Sequence, residues 1–129
     1  MAKQQNAVIL FIKKNKYLIV LAVGLILDQL TKIWAENNLS MYEAVHIIPN
    51  ILEFQLVHNY GAAYGILQNQ RLFLLSVSVI VLVVCIVFRK HIATTPLSKY
   101  GLSFLLIGTI GNFIDRLRLS YVIDFINIH

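Results

Sequence analysis

Three long apolar runs divide the chain. The first, residues 17–34, opens with Tyr17-Leu18-Ile19-Val20 and turns polar at Asp28, Gln29, Thr31 and Lys32. The second, residues 72–88, interrupts its apolar side chains only with Ser76 and Ser78 and is bracketed by Arg71 and Arg89-Lys90. As a helix it would reach ~26 Å, close to the ~30 Å hydrocarbon core of a bilayer. The third, residues 97–114, follows Pro96, which suits the first turn of a helix. Gly101, Gly108 and Gly111 interrupt it and predict close approach of a neighbouring helix. All three runs read as transmembrane spans. Ahead of them, residues 1–6 are polar and expected to be loose. Residues 8–12, followed by Lys13, Lys14 and Lys16, read as a short amphipathic segment on the membrane surface. Basic residues before a short apolar run also describe a cleavable signal peptide. No small-residue cleavage site follows Leu27, so the first span is read as retained.

The pattern changes between the first two spans. Residues 51–59 show the partial alternation of a half-buried strand, with turn signals at Pro49-Asn50 and Gly61. A small β element over about residues 40–66, lying on the outer membrane surface, is the simplest reading.

Composition strengthens the membrane assignment. Of 129 residues, 58% are hydrophobic and 13% charged, and mean hydropathy is +0.73. Soluble domains average ~45–50% and ~25%, and so short a chain has too small an interior to hide the surplus. A soluble monomer and a disordered chain are both excluded. The expected fold is mainly α: one integral membrane domain, residues 1–129, in which a helix bundle carries a small extracytoplasmic β element. The net charge of +5 does not indicate nucleic acid, because Lys and Arg sit at the ends of apolar runs rather than on one soluble face. Lys3, Lys13, Lys14 and Lys16 precede the first span, and Arg89, Lys90 and Lys99 join the second to the third. Residues 35–70 contain neither Lys nor Arg. The positive-inside rule then puts the N-terminus and the 89–99 loop in the cytoplasm, and residues 35–70 and the tail outside. The lone Cys85, within an apolar run, can form neither an internal disulfide nor a zinc site.

This topology gathers the rare polar residues at one level. Asp28 and Lys32 fall near the outer end of the first span, and Asn112, Asp115 and Arg116 at the outer end of the third. Asn59 lies outside, and Asp124 follows nine residues after Asp115. Ionisable groups at membrane depth are costly and mark function. Asp28 and Lys32 have the i, i+4 order favourable for an ion pair. His46, His58, His91 and His129 lack metal-ligand spacing, so neither metal nor cofactor is expected. No Gly-x-Ser-x-Gly occurs, and Ser76 and Ser78 are expected to bond back to helix carbonyls. Carboxylates remain as the reactive groups. Two held close share a proton, so that one activates water and the other donates to the carbonyl. Spacing alone leaves Asp124 paired with either Asp115 or Asp28. A channel or transporter subunit is the rival reading, but it would spread polar residues through the depth of the bilayer.

Four ordered motifs carry a resemblance. They are Asp28-Gln29-Leu30-Thr31-Lys32, His58-Asn59-Tyr60-Gly61-Ala62-Ala63-Tyr64-Gly65, Gly108-Thr109-Ile110-Gly111-Asn112-Phe113-Ile114-Asp115-Arg116 and Val122-Ile123-Asp124-Phe125. From about Tyr17 onward the chain resembles the bacterial lipoprotein signal peptidases, signal peptidase II. The resemblance implies an aspartyl endopeptidase of the bacterial inner membrane. Such an enzyme removes the signal peptide of a prolipoprotein before its diacylglyceryl-modified cysteine, with membrane lipids around it, as a monomer and without a cofactor. It implies four transmembrane helices, a β cradle and a short surface helix. It maps the catalytic aspartate to Asp124 and polar site residues to Asp28, Asn59, Asn112 and Arg116. Lys32 and Gly61 belong to the same motifs, and Asp115 is given a structuring role. Two departures stand out. Leu119-Ser120-Tyr121 replaces a glycine usual before the last motif. The second catalytic aspartate, in an Asn-x-Ala-Asp motif opening a fourth helix, is not among these residues. The chain is therefore expected to be truncated before that helix, with an inactive lipopeptide-binding relic as the alternative.

Overall fold

The computed structural model describes residues 2–62 and 66–129. Ala63, Tyr64 and Gly65 of the second motif lie outside the described residues. Among the described residues five helices form in order: α1 (Ala2–Lys14), α2 (Lys16–Asn38), α3 (Arg71–Val87), α4 (Arg89–Ile92) and α5 (Pro96–Leu119). Strands β1 (Val45–Ile48) and β2 (Leu52–Asn59) lie between α2 and α3, and β3 (Val122–Ile128) follows α5. Residues 2–6, expected to be loose, are helical: Ala, Lys and Gln are good helix formers and neither Gly nor Pro interrupts them. The whole of α1 is exposed.

α2 and α5 are 23 and 24 residues long, ~35 Å each as helices, enough to cross a bilayer. They pack directly on each other. A Cβ on Gly24 of α2 would lie 2.2 Å from Ile107 Cδ1, and one on Gly111 of α5 would lie 2.2 Å from Asp28 Oδ2. Close approach therefore holds at Gly111 but not at Gly101 or Gly108, which have open space where a Cβ would go. α5 buries Ser103, Ile107, Gly111 and Asp115, one residue per helical turn along a single stripe. The hydroxyls of Ser76 and Ser78 in α3 donate to the carbonyls of Leu72 and Leu74. Outward faces stay apolar: Leu18, Ile26, Leu72, Ile80 and Phe104 are each more than half exposed, a surface suited to lipid rather than water.

The ends of α5 explain its neighbours. Thr95 and Ser98 form a capping box around Pro96 at its start. Ser120 ends it in the left-handed conformation, φ 73°, which costs a non-glycine residue about 1–2 kcal/mol. The missing family glycine is thus replaced where the backbone favours glycine. The chain then enters β3, a strand the sequence reading did not anticipate.

The sheet is antiparallel with order β1-β2-β3. Asn50, φ 65°, makes the turn predicted at Pro49-Asn50. Phe54 pairs with Ile126 and Val57 with Asp124, so Gln55 and Leu56 together oppose Phe125, a β-bulge. Ala35, Leu56 and Ile123 form the apolar core that fastens the sheet to the end of α2.

Candidate active site

The buried seam between α2 and α5 ends in a charged network. Lys32 is 6% exposed. Its Nζ lies 3.0 Å from Asp28 Oδ2 and 2.9 Å from Asp115 Oδ2, and donates to Asn112 Oδ1 at 3.2 Å. One ammonium thus serves two carboxylates, not the Asp28 partner alone. The Gln29 amide nitrogen bridges the same pair, donating to Asp28 Oδ2 at 3.0 Å and to Asp115 Oδ1 at 3.3 Å. Asp115 is fully buried and also accepts the Ile123 N–H at 3.1 Å. That bond ties α5 to β3 one residue before Asp124. Buried charges survive only when paired and hydrogen-bonded, and this network meets both conditions.

Asp124 sits on β3 beside the bulge. Where the ladder is broken, its Oδ1 accepts the Phe125 N–H at 2.8 Å and the Ile126 N–H at 3.4 Å. These bonds fix the carboxylate by one oxygen; among the described residues none engages the other. Asp124 lines a cavity of about 450 Å³ with Asp28, Lys32, Asn59, Asn112 and Arg116. Asn59 and Ala62, at the end of β2 and just after it, line it too. The Asn59 side chain accepts from Gly61 N at 2.9 Å and donates to Ala62 O at 3.0 Å, and Arg116 Nη2 donates to Gly61 O at 3.1 Å. Arg116 Nε is buried with no acceptor among the described residues.

Of the eight residues singled out from sequence, six therefore line one cavity. Gly61 does not line it but accepts from the lining residue Arg116 through its carbonyl, and Asp115 also stands outside the lining, fully buried. Of the two partners that spacing allowed Asp124, Asp115 is held by Lys32 and Ile123, and Asp28 shares the cavity. Gln29 and Arg71 were not singled out. Arg71 donates to the carbonyls of Arg116 at 2.7 Å and Leu117 at 2.5 Å, bracing the last turn of α5. Unsatisfied carbonyls at a helix end attract such a cation, but the pairing spans 45 residues and left no local signal. His58 stacks on Tyr121 with centroids 4.1 Å apart, and its Nε2 meets Glu36 Oε1 at 2.5 Å. Burial pushes the Tyr121 phenol above its usual pKa, and the Glu36 carboxylate adds to the shift.

The family model described as Signal peptidase (SPase) II matches residues 20–129. The chain belongs to the signal peptidase II family. Two relatives, each named lipoprotein signal peptidase, illustrate the likeness. The one from Clostridium tetani is 37% identical over 113 residues, covering 87% of this chain and 72% of the relative. The one from Clostridium novyi is 38% identical over 112 residues, covering 86% and 76%. Two solved structures, each titled a bacterial membrane enzyme determined in meso, share the fold. One superposes with a TM-score of 0.80 at 28% identity, over 89% of this chain and 71% of that one. The other gives 0.76 at 30% identity, over 88% and 74%. As a signal peptidase II family member the chain is a lipoprotein-processing membrane peptidase, and a non-enzymatic membrane subunit is not the reading to keep.

Proposed function

We infer that this signal peptidase II cleaves prolipoproteins as an aspartyl endopeptidase, with Asp124 as one member of the catalytic pair. The observation that carries this is the cavity itself: the half-free Asp124 carboxylate faces the same space as Asn59, Asn112 and the Arg116 guanidinium. In this reading Asp124 draws a proton from water, which attacks the scissile carbonyl, while a second carboxyl donates to that carbonyl. The resulting diol collapses as the C–N bond breaks, the second carboxylate takes its proton back and Asp124 passes its own to the leaving amine. Asp28 shares the cavity but is committed to Lys32 and Gln29. The second carboxyl is therefore assigned to the aspartate of the Asn-x-Ala-Asp motif that the family resemblance expects on a fourth helix. The Arg116 guanidinium, which lines the cavity, holds a substrate carbonyl. β3 is an edge strand, so an extended peptide can pair with its free backbone groups and bring its scissile bond beside Asp124.

The substrate is a signal peptide ahead of a diacylglyceryl-cysteine, entering from the lipid of the inner membrane. The basic α1–α2 junction and the 89–99 loop lie in the cytoplasm, which sets the Asp124 cavity near the outer face and the sheet, as the cradle, on the outer surface. Asp124→Asn in the whole enzyme is expected to abolish prolipoprotein cleavage while membrane insertion and helical circular dichroism stay unchanged. Cleavage by that variant at the parent rate would remove Asp124 from the reaction.

A further inference from the structure

Charge is segregated along the bundle. All six acidic residues, Asp28, Glu36, Glu43, Glu53, Asp115 and Asp124, fall outside residues 2–27 and 71–114. Lys13, Lys14, Lys16, Arg89, Lys90 and Lys99 lie where α1 meets α2, α3 meets α4 and α5 begins, and Lys3 opens α1. Among the described residues, none of these seven has an ion-pair partner. Two of them converge on one ring: Lys16 and Lys99 place their Nζ atoms 5.1 and 5.7 Å from the centre of Tyr17. Tyr17 in turn meets Tyr100 edge to face at 4.8 Å.

A cavity of about 270 Å³ opens at this end of the molecule. Leu18 and Leu21 of α2 and Leu102 and Leu106 of α5 give it an apolar lining, and the exposed residues Arg89, Lys90 and Lys99 line it as well. Lys99 and Arg116 are 17 positions apart on one helix, or ~25 Å of rise, so this cavity is separate from the one at Asp124. An apolar slot under three cations without acidic partners is complementary to one molecule type: an acyl chain joined to a phosphate.

We propose that the groove between α2, α4 and α5 binds one anionic phospholipid, its phosphate on Arg89, Lys90 and Lys99 and an acyl chain along Leu18, Leu21, Leu102 and Leu106. The site depends on charge complementarity and is independent of the catalytic assignment. It also gives Lys99, one of the two lysines around Tyr17, a counter-ion that no described residue supplies.

Native mass spectrometry of the detergent-solubilised whole protein tests this with dioleoyl phosphatidylglycerol and dioleoyl phosphatidylcholine. Each cation near a membrane surface contributes roughly fivefold to anionic lipid binding, so one phosphatidylglycerol should stay bound at least tenfold more tightly than phosphatidylcholine. The variant R89Q/K90Q/K99Q should lose that preference, whereas K3Q/K13Q/K14Q, which removes as much charge elsewhere, should keep it. Leu102→Trp, which fills the groove and leaves every charge in place, should weaken retention several-fold. Equal retention of the two lipids, equal loss in both triple variants, displacement by free glycerol 3-phosphate, or a second protein copy seated there in place of lipid would each overturn the proposal.

Discussion

Replacing Lys32 by methionine removes a charge while keeping most of the side chain's volume. Asp28 and Asp115 would then be left without the ammonium now 3.0 and 2.9 Å away. Breaking a buried ion pair by deleting one partner costs ~3–5 kcal/mol. The Asp28 side chain is 22% exposed and recovers some hydration, whereas that of Asp115 is at 0% and recovers none. The lower part of the range, about 3–4 kcal/mol, is therefore expected. With an unfolding entropy of ~2.1 cal/mol/K per residue, that lowers the thermal midpoint in detergent by about 11–15 °C. The triple variant K32M/D28N/D115N removes the stranded charges together and leaves residue 115 an acceptor for the Ile123 N–H. Neutral replacement of a whole buried ion cluster is often without net cost, so this variant should recover most of the loss. Asp28→Asn alone should cost only about 1 kcal/mol, because Lys32 keeps Asp115. Differential scanning fluorimetry of the four proteins decides. If the triple variant melts no higher than K32M, the damage came from lost packing of the lysine stem and the charge-balance argument is wrong.

The two α5 glycines should behave in opposite ways. Gly111→Ala drives a methyl into the Asp28 carboxylate and should destabilise by about 1–3 kcal/mol, whereas Gly108→Ala meets nothing within 4 Å and should stabilise by about 0.5–1 kcal/mol; equal midpoint shifts would disprove the seam described here. Ser120→Gly relieves a left-handed serine and should stabilise by about 1 kcal/mol, read as a higher midpoint at unchanged cleavage. A hydrogen bond from His129, aided by Asn127 and the charges of His129 and His46, holds the Glu53 carboxyl below its ordinary 4.5 despite opposing desolvation. Its contribution is therefore present above about pH 4.5 and is lost as pH falls through the lower folded value. A midpoint series from pH 7 to 3 should show the parent falling below pH 4.5 more steeply than Glu53→Gln, and parallel curves would remove Glu53 as the cause.

The three longest helices were legible because each coincides with a long apolar run, and the polar residues that stand out against those runs are the ones gathered at one cavity. What escaped was set by contacts between distant residues. β3 reads Val122-Ile123-Asp124-Phe125, without clean alternation, and becomes a strand by pairing with β2, which lies more than sixty residues earlier. Lys32 looked like the local partner of Asp28. Its second carboxylate, Asp115, is 83 positions away and invisible to helical spacing. Gly101, Gly108 and Gly111 are equivalent in composition, and only the rotation of α5 against α2 decides which of them faces the seam. α1 was partly missed because helix propensity without a buried face leaves no hydrophobic signature.

Polar side chains are prominent in the helical interior, Lys32, Ser78, Ser103 and Asp115 among them, while many Leu, Ile and Val side chains, such as Leu18, Ile26, Leu72 and Ile80, point outward. Such a molecule inverts the usual grammar of mutational tolerance. Its greasy exterior is spelled in interchangeable letters, so long as each one dissolves in oil. The inner seam admits few synonyms, since a single misplaced charge has no solvent to rescue it. Random mutagenesis should therefore find the outside permissive to any aliphatic exchange and the α2–α5 seam nearly silent, the reverse of the map expected for an oil-filled protein in water.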